Sequence, residues 1–368
     1  MNDAATGKRL APAGPVWWFA LLATLAFGLS VCIDATRVYT PTEVMRALLV
    51  QLGLMPASGM DPLDAALLGQ WRMARACVAA LAGGMLALAG GITQGIFRNP
   101  LAAPSVIGVT AGGGLGGAAA LALGLPLAGL RLGEHTLLAH FLVVPVFAFA
   151  GSCAVAFTVY AIATRRGETH LPTLLLAGIA LSAFAAAGAS TLLTFALHED
   201  QLFRAIFLWQ MGSLQDRVWA HVAMLLPGLI LGTVLALAYA RELNLLAMGE
   251  RSATSLGVEV RRMKRNLLLA AALLAGSAVS VIGLVGFIGL VVPHLVRLVV
   301  GPDHRVLLPA SLFGGAAFLL LMDLVQRVVV VGWLRTPELR IGAIMGLVGG
   351  AFFVVLLLRE RHRNLMNS

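Results

Sequence analysis

The sequence predicts an all-α, polytopic integral membrane protein, and three observations carry that prediction. Only 12% of the residues are charged while 59% are hydrophobic, against about 25% charged in ordinary soluble domains. The mean hydropathy is +0.91. Nine stretches contain no Asp, Glu, Lys or Arg: 10–33, 76–97, 99–130, 135–164, 169–198, 218–240, 266–296, 306–322 and 341–358. A span needs roughly 20 apolar residues to cross a hydrocarbon core about 30 Å thick. Backbone polar groups find no water there, so each stretch is expected to be a helix. Nothing alternates in the manner of a barrel strand.

The first run follows Lys8 and Arg9 and ends in Leu29-Ser30-Val31-Cys32. It lacks a small-x-small cleavage pattern, and Val31 is too large for the position before a lipoprotein cysteine, so an uncleaved helix is expected. The run 306–322 extends to about Val331 if Asp323 and Arg327 lie near an end. The run 266–296 is too long for one helix and carries Gly283, Gly286, Gly289 and Pro293. It is split into spans at about 265–283 and 287–299, with a break between Gly283 and Pro293. Charge supports the split: with ten spans and both termini cytoplasmic, 16 of the 26 Lys and Arg lie inside, but only 14 with nine spans.

Function is narrowed by what the residues lack. His140, His198, His221 and His294 are scattered without metal-ligand spacing, and Cys32, Cys77 and Cys153 form no CxxC. They are expected to be packing residues, with no metal site. Gly7-Lys8 has no glycine-rich loop before it, so the chain has no phosphate loop of its own. The cluster Gly112 to Gly117 sits inside an apolar run, where small residues allow close helix approach. The net charge of +9 and the pI near 10.6 reflect basic residues at span ends, which suits topology and anionic lipid rather than nucleic acid. Transport remains. Asp323 is the one acid inside a plausible span, with Arg327 at i+4 on the same face. A proton-coupled secondary transporter using Asp323 is therefore one reading.

The chain's one large polar island, 241–265, reads RELNLLAMGERSATSLGVEVRRMKR. It presents Gly249, Glu250, Ala253, Leu256 and Gly257 in the setting of a short amphipathic helix. From the residues alone it is equally a docking surface for a soluble partner or a basic loop that fixes topology.

Three groups of residues form an ordered pattern. The first runs from Arg72-Met73-Ala74-Arg75 through Ala89-Gly90-Gly91 and Gln94-Gly95 to Arg98-Asn99-Pro100-Leu101-Ala102-Ala103-Pro104 and Gly108. The second is Gly249-Glu250, Ala253 and Leu256-Gly257-Val258. The third is Gly286-Phe287-Ile288-Gly289-Leu290-Val291-Val292-Pro293-His294, Arg297, Asp303-His304-Arg305, Asp323 and Arg327, with a weaker echo in Trp209 to Leu214. Together they resemble the FecCD-type permease subunits of ABC importers for iron–siderophore, haem and cobalamin, and the likeness covers about residues 65 to 360. Two departures are Glu338-Leu339-Arg340-Ile341-Gly342, where the family usually has Glu-Leu-Pro-Val-Gly, and Gly349-Gly350-Ala351, where it has Gly-Ala-Pro. Without those prolines the last helix is expected to be less kinked.

The resemblance implies one permease domain over 1–368, with cytoplasmic tails at 1–15 and 359–368 and a coupling segment at 241–264 that docks on an ATPase. In it, Gly249, Glu250, Ala253, Leu256 and Gly257 form the dock, and Asn99-Pro100 forms a cytoplasmic turn. Arg72, Arg75 and Arg327 at outer helix ends would receive carboxylates of a soluble binding protein. The expected assembly is two permease chains, identical or related, two ATP-binding subunits and a soluble substrate-binding protein in the inner membrane. The chain is not an enzyme and binds no cofactor, ATP being used by the partner. The substrate implied is a ferric siderophore, with haem or cobalamin as the alternative.

Overall fold

The computed structural model describes residues 14–34, 37–51, 53–55, 61–124, 130–132, 135–138, 140–165, 168–335 and 338–366. The expected tail at 1–15 lies almost entirely outside them. The helices are α1 (Gly14–Cys32), α2 (Pro41–Gln51), α3 (Leu63–Phe97), α4 (Val109–Ala122), α5 (His140–Ala163), α6 (Leu171–Phe195) and α7 (Asp200–Gln210). They continue with α8 (Trp219–Ala238), α9 (Ala240–Ala247), α10 (Glu250–Ser255), α11 (Val260–Ile282), α12 (Ile288–Val300), α13 (His304–Trp333) and α14 (Ile341–Met366). The all-α expectation holds apart from two short antiparallel hairpins, β1 (Leu130–Leu132) with β2 (His135–Leu138) and β3 (Thr164–Arg165) with β4 (Glu168–Thr169).

Among the described residues, seven helices are long and apolar enough to cross a membrane, and Val109–Ala122, Ile288–Val300 and Ile341–Leu356 are shorter apolar helices. The long run at 266–296 does break. Gly283 at φ 77° and Phe287 at φ 65° end α11 and start α12, so the interruption precedes Pro293, which lies inside α12. The last helix runs unbroken from Ile341 to Met366, in line with its missing prolines. What the sequence did not indicate is the length of α3. At 35 residues it extends about 52 Å, well beyond the hydrocarbon core, and after one α-helical turn it carries a π-helical stretch at Leu67–Arg72. Helix α13 ends in a second π stretch, Gln326–Trp333.

Helices α3 and α11 are almost wholly enclosed, and α13, α12 and α8 pack around α3. The α3–α13 crossing depends on glycine. A Cβ on Gly83 would lie 2.3 Å from the carbonyl oxygen of Gly315, and a Cβ on Gly315 would meet Gly83 in the same way. In lipid the hydrophobic effect cannot drive helices together, so contact of this kind supplies the packing energy. By contrast α1, α6 and α8 turn large apolar side chains outward, Phe184 being 72% exposed, as lipid contact requires.

Because carbonyl oxygens rather than flexible side chains stand in the way, Gly83→Val cannot be absorbed by repacking. It should cost at least the roughly 1–3 kcal/mol of ordinary overpacking. The expected outcome is a lowered melting midpoint in detergent or loss of membrane accumulation. Gly28→Val, where a Cβ meets nothing within 4 Å, should melt as the wild type does.

Candidate functional site

Two polar constellations lie at opposite ends of the bundle, since antiparallel α3 and α13 carry the arginines at one end and Arg98 and His304 at the other.

The first is built around Asp323, a carboxylate with no solvent exposure. Arg75 donates to its Oδ1 from Nε (3.0 Å) and Nη2 (2.7 Å), and Arg327 Nε donates to its Oδ2 (3.1 Å). The expected Asp323–Arg327 pair exists, but Arg75 from the adjacent helix completes it. Arg75 also bonds Glu338, which in turn accepts from Gln215 and Gln326. Arg327 uses the rest of its fork on the end of α1. It donates to the carbonyl oxygens of Ser30 (2.8 Å) and Ile33 (2.9 Å) and to Ser30 Oγ (2.8 Å). These are the carbonyls that a helix C-terminus leaves without an intrahelical partner, and a cation there also suits the helix dipole. Arg72 bonds the carbonyl oxygen of Val31 (3.1 Å), pairs with Asp34 (2.7 Å), and lies 4.8 Å from the Tyr39 ring centroid.

All three arginines are engaged within the chain. Arg72 and Arg75 diverge to Asp34 and Asp323, and Arg327 touches both acids. Arg327 is the most enclosed of the three. Its side chain is 8% exposed, because α1 packs against α13 and its terminal carbonyls draw the guanidinium inward. Sequence reasoning missed Arg217 and Glu338 as members of this end. The Arg217 guanidinium donates to the Ser213 carbonyl. Burial, opposed by Asp216 but reinforced by Arg340 and Arg75, holds its pKa down to about 10. The signal for Glu338 was its place in the short charged stretch Arg335 to Arg340, just before the last apolar run.

The second constellation is the island. Helix α10 is bracketed by Gly249 at φ 115° and Gly257 at φ 86°, both left-handed-side conformations that favour glycine. Its end is a Schellman cap: Val258 N–H donates to the Ala253 carbonyl (3.0 Å) and Gly257 N–H to that of Thr254 (3.0 Å). Glu250 does not await an external cation. Lys264 Nζ donates to its Oε1 at 2.6 Å, and Lys264 is itself 3% exposed. Ala253 is fully buried beneath the helix. The outward face consists instead of Arg251, Thr254, Leu256 and Gly257, with Met248 69% exposed at the entrance. Lys264 could have been recognised from position, since it shares a helical face with Leu267, Leu268 and Ala271 and so points to the core.

Further bonds fix the segment to the body. Asn244 Nδ2 donates to Asp303 Oδ1 (2.6 Å), and its Oδ1 accepts from the His304 backbone (2.9 Å). Asn266 donates to the Tyr239 hydroxyl (2.7 Å). At Asp303 partial burial raises the carboxyl, but the Arg305 N–H and the Asn244 amide prevail and hold it below the usual value. The Asn99-Pro100 turn is formed as expected. Asn99 Oδ1 accepts from Leu101 N–H (2.9 Å), and the preceding Arg98 takes φ 50°. Arg98 Nη1 reaches within 4.0 Å of where a Cβ on Gly249 would stand, so turn and island adjoin.

An ion-paired cluster lies at one end, an exposed short helix at the other, and walls of outward-facing apolar side chains lie between them, as in an integral membrane protein. Residues 21–359 match the model of the FecCD transport family, and the chain belongs to that family. It is 42% identical over 296 residues to the cobalamin import system permease protein BtuC of Halobacterium salinarum, covering 80% of this chain and 74% of that one. It is also 42% identical over 293 residues to the hemin transport system permease protein HmuU of Yersinia pestis (79% and 83% covered). Against the Fe(3+) dicitrate transport system permease protein FecD of Escherichia coli it is 37% identical over 296 residues (79% and 85%). A solved inward-facing ABC transporter assigned to the metal-chelate type superposes with a TM-score of 0.77 at 27% identity, covering 94% of this chain and 98% of the other. The chain is therefore the permease subunit of an ABC importer and a multi-pass inner-membrane protein. This excludes the secondary-transporter reading, and both Asp323 oxygens are in any case taken by guanidinium groups.

Asp323→Asn should be severe, because it leaves two buried guanidinium groups sharing a neutral amide. Removing one partner of a buried pair costs about 3–5 kcal/mol. Melting in detergent should show a large drop, and a midpoint within experimental error of wild type would show that the cluster does not hold the bundle.

Proposed function

We propose that the chain forms, with a second identical or related permease chain, the pathway of an importer for a metal chelate, powered by two ATP-binding subunits and supplied by a soluble binding protein. Alternating access follows from ATP hydrolysis on those partners. The observation that carries the reading is the seating of α10: short, set between two glycine turns, closed by a Schellman cap at its end, bonded to α11 through Glu250 and Lys264, and exposing Met248 and Leu256. A docking element must be stiff, or the motion of its partner is lost in it. The topology we propose is ten crossings with both termini cytoplasmic, a reading supported by the seven long apolar helices together with the shorter apolar helices α4, α12 and α14.

Within the chelates the first reading is a ferric siderophore. A second reading, haem or cobalamin, is favoured by the 42% identity to permeases named for those cargoes. Growth of a deletion strain on ferric siderophores, hemin or cobalamin as sole source separates them, and rescue by none of the three would sink the substrate class.

At the other end Arg72 and Arg75 are the proposed contacts for binding-protein carboxylates, with Arg327 holding the acids and carbonyls around them. Reversing Arg75 would drive an acid onto buried Asp323, so Arg72→Gln is the cleaner probe, its partner Asp34 being 33% exposed. Loss of one such pair should weaken capture of the binding protein by about five-fold and reduce its salt dependence, with basal ATPase activity retained. Unchanged capture at every salt concentration would remove Arg72 from the interface.

Glu250→Arg should set two cations together and unseat α10, and a bulky residue at Ala253 should lift it. Both should leave insertion intact while ATP hydrolysis continues without uptake; normal uptake would overturn the coupling role. For topology, exposed Arg305 changed to Cys should react with an impermeant thiol reagent from the cytoplasmic side only. Labelling from outside would restore nine crossings.

A further inference from the structure

The cavity left unexplained by transport lies between α5, α6 and α11, near the 3₁₀ turn Pro104–Ile107. It encloses about 350 Å³ and is lined by apolar groups including Ile107, Phe157, Leu174, Leu268, Leu269 and Ala272. The polar lining groups are Arg265, at the end nearest the island, and the hydroxyl-bearing Tyr160. It opens sideways, as Phe157 is 71% and Leu269 52% exposed. Arg265 is exposed and its guanidinium finds only the neutral side chain of Asn266, at 3.3 Å. Arg261, one turn earlier on the same face, is exposed as well. Among the described residues neither has a carboxylate within ion-pair distance.

A trench of hydrocarbon walls ending in uncompensated positive charge matches an amphiphile with one anionic head and an apolar tail. It does not match a polar chelate, which would find almost no hydrogen-bond partners along the walls. We propose that this crevice binds an anionic phospholipid of the inner leaflet, with an acyl chain along Leu268, Leu269 and Ala272 and the phosphate at Arg265 and Arg261. The turn of α11 that holds the headgroup also carries Lys264, the anchor of α10. Occupancy thus stiffens the link between the ATPase dock and the bundle.

The test uses the assembled importer in nanodiscs of mixed phosphatidylglycerol and phosphatidylcholine, with retained lipid counted by native mass spectrometry. Wild type should retain phosphatidylglycerol about five-fold over phosphatidylcholine. Arg265→Gln should bring that ratio near one, and Ala272→Phe, which fills the trench, should lower retention of both lipids. Should Ala272→Phe not accumulate, Leu269→Trp at the rim serves the same purpose. Phosphatidylglycerol retention at the wild-type level in both the charge and the trench variants would overturn the site. So would ready cross-linking of two chains through Phe157→Cys, which would make the crevice an interface between copies.

Discussion

The carboxylate of Asp323 is the group on which one end of this permease depends. A bare charge inside a membrane protein is costly, and Asp323 is retained because two guanidinium groups enclose it. Arg75 brings α3 and, through Glu338, the start of α14; Arg327 brings the end of α1. One buried acid therefore fixes the relative positions of four helices. The same requirement explains why Arg327 faces inward. An arginine that caps carbonyls and pairs with a buried acid is structural first, and any role at the surface falls to its neighbours.

The two π-helical stretches belong to this arrangement. Each shifts the helical register just where Arg72 and Gln326-Arg327 must reach their partners. The π stretch at Leu67–Arg72 also leaves the Gly69 carbonyl to accept the Trp219 indole N–H (3.0 Å). Registers suited to a plain α-helix would point these side chains elsewhere.

At the opposite end the design is a stiff bracket rather than a charge cluster. Glycine-enabled turns set the direction of α10, Glu250–Lys264 joins it to α11, and Asn244–Asp303 and Asn266–Tyr239 tie the flanking helices α9 and α11 to other parts of the bundle. Residues that bind the segment to its own chain are thus distinct from those it offers outward, Met248, Arg251 and Leu256 among them. In the proposed importer a push on that face reaches α11 through the Glu250–Lys264 pair, whose lysine is buried and whose carboxylate is partly exposed, and the lipid crevice lies on the next turn of that helix.

How much of this was legible follows from which forces are local. Charge-free runs, the island, the break after Gly283 and the Asn99-Pro100 turn come from residue types acting on their immediate backbone, and the sequence by itself determined them. It determined the family too, since the motifs recur at fixed spacing along most of the chain. It could not assign partners to charges. Lys264, the partner of Glu250, is 14 residues away, and Asp323, the partner of Arg75, is 248 residues away. Helical periodicity could have turned Lys264 inward, but nothing in sequence brings α3 against α13; that contact rests on Gly83 meeting Gly315. Only the tertiary structure decided which arginines are buried and which face of α10 remains open, because pairing across such separations is fixed by packing and not by local chemistry.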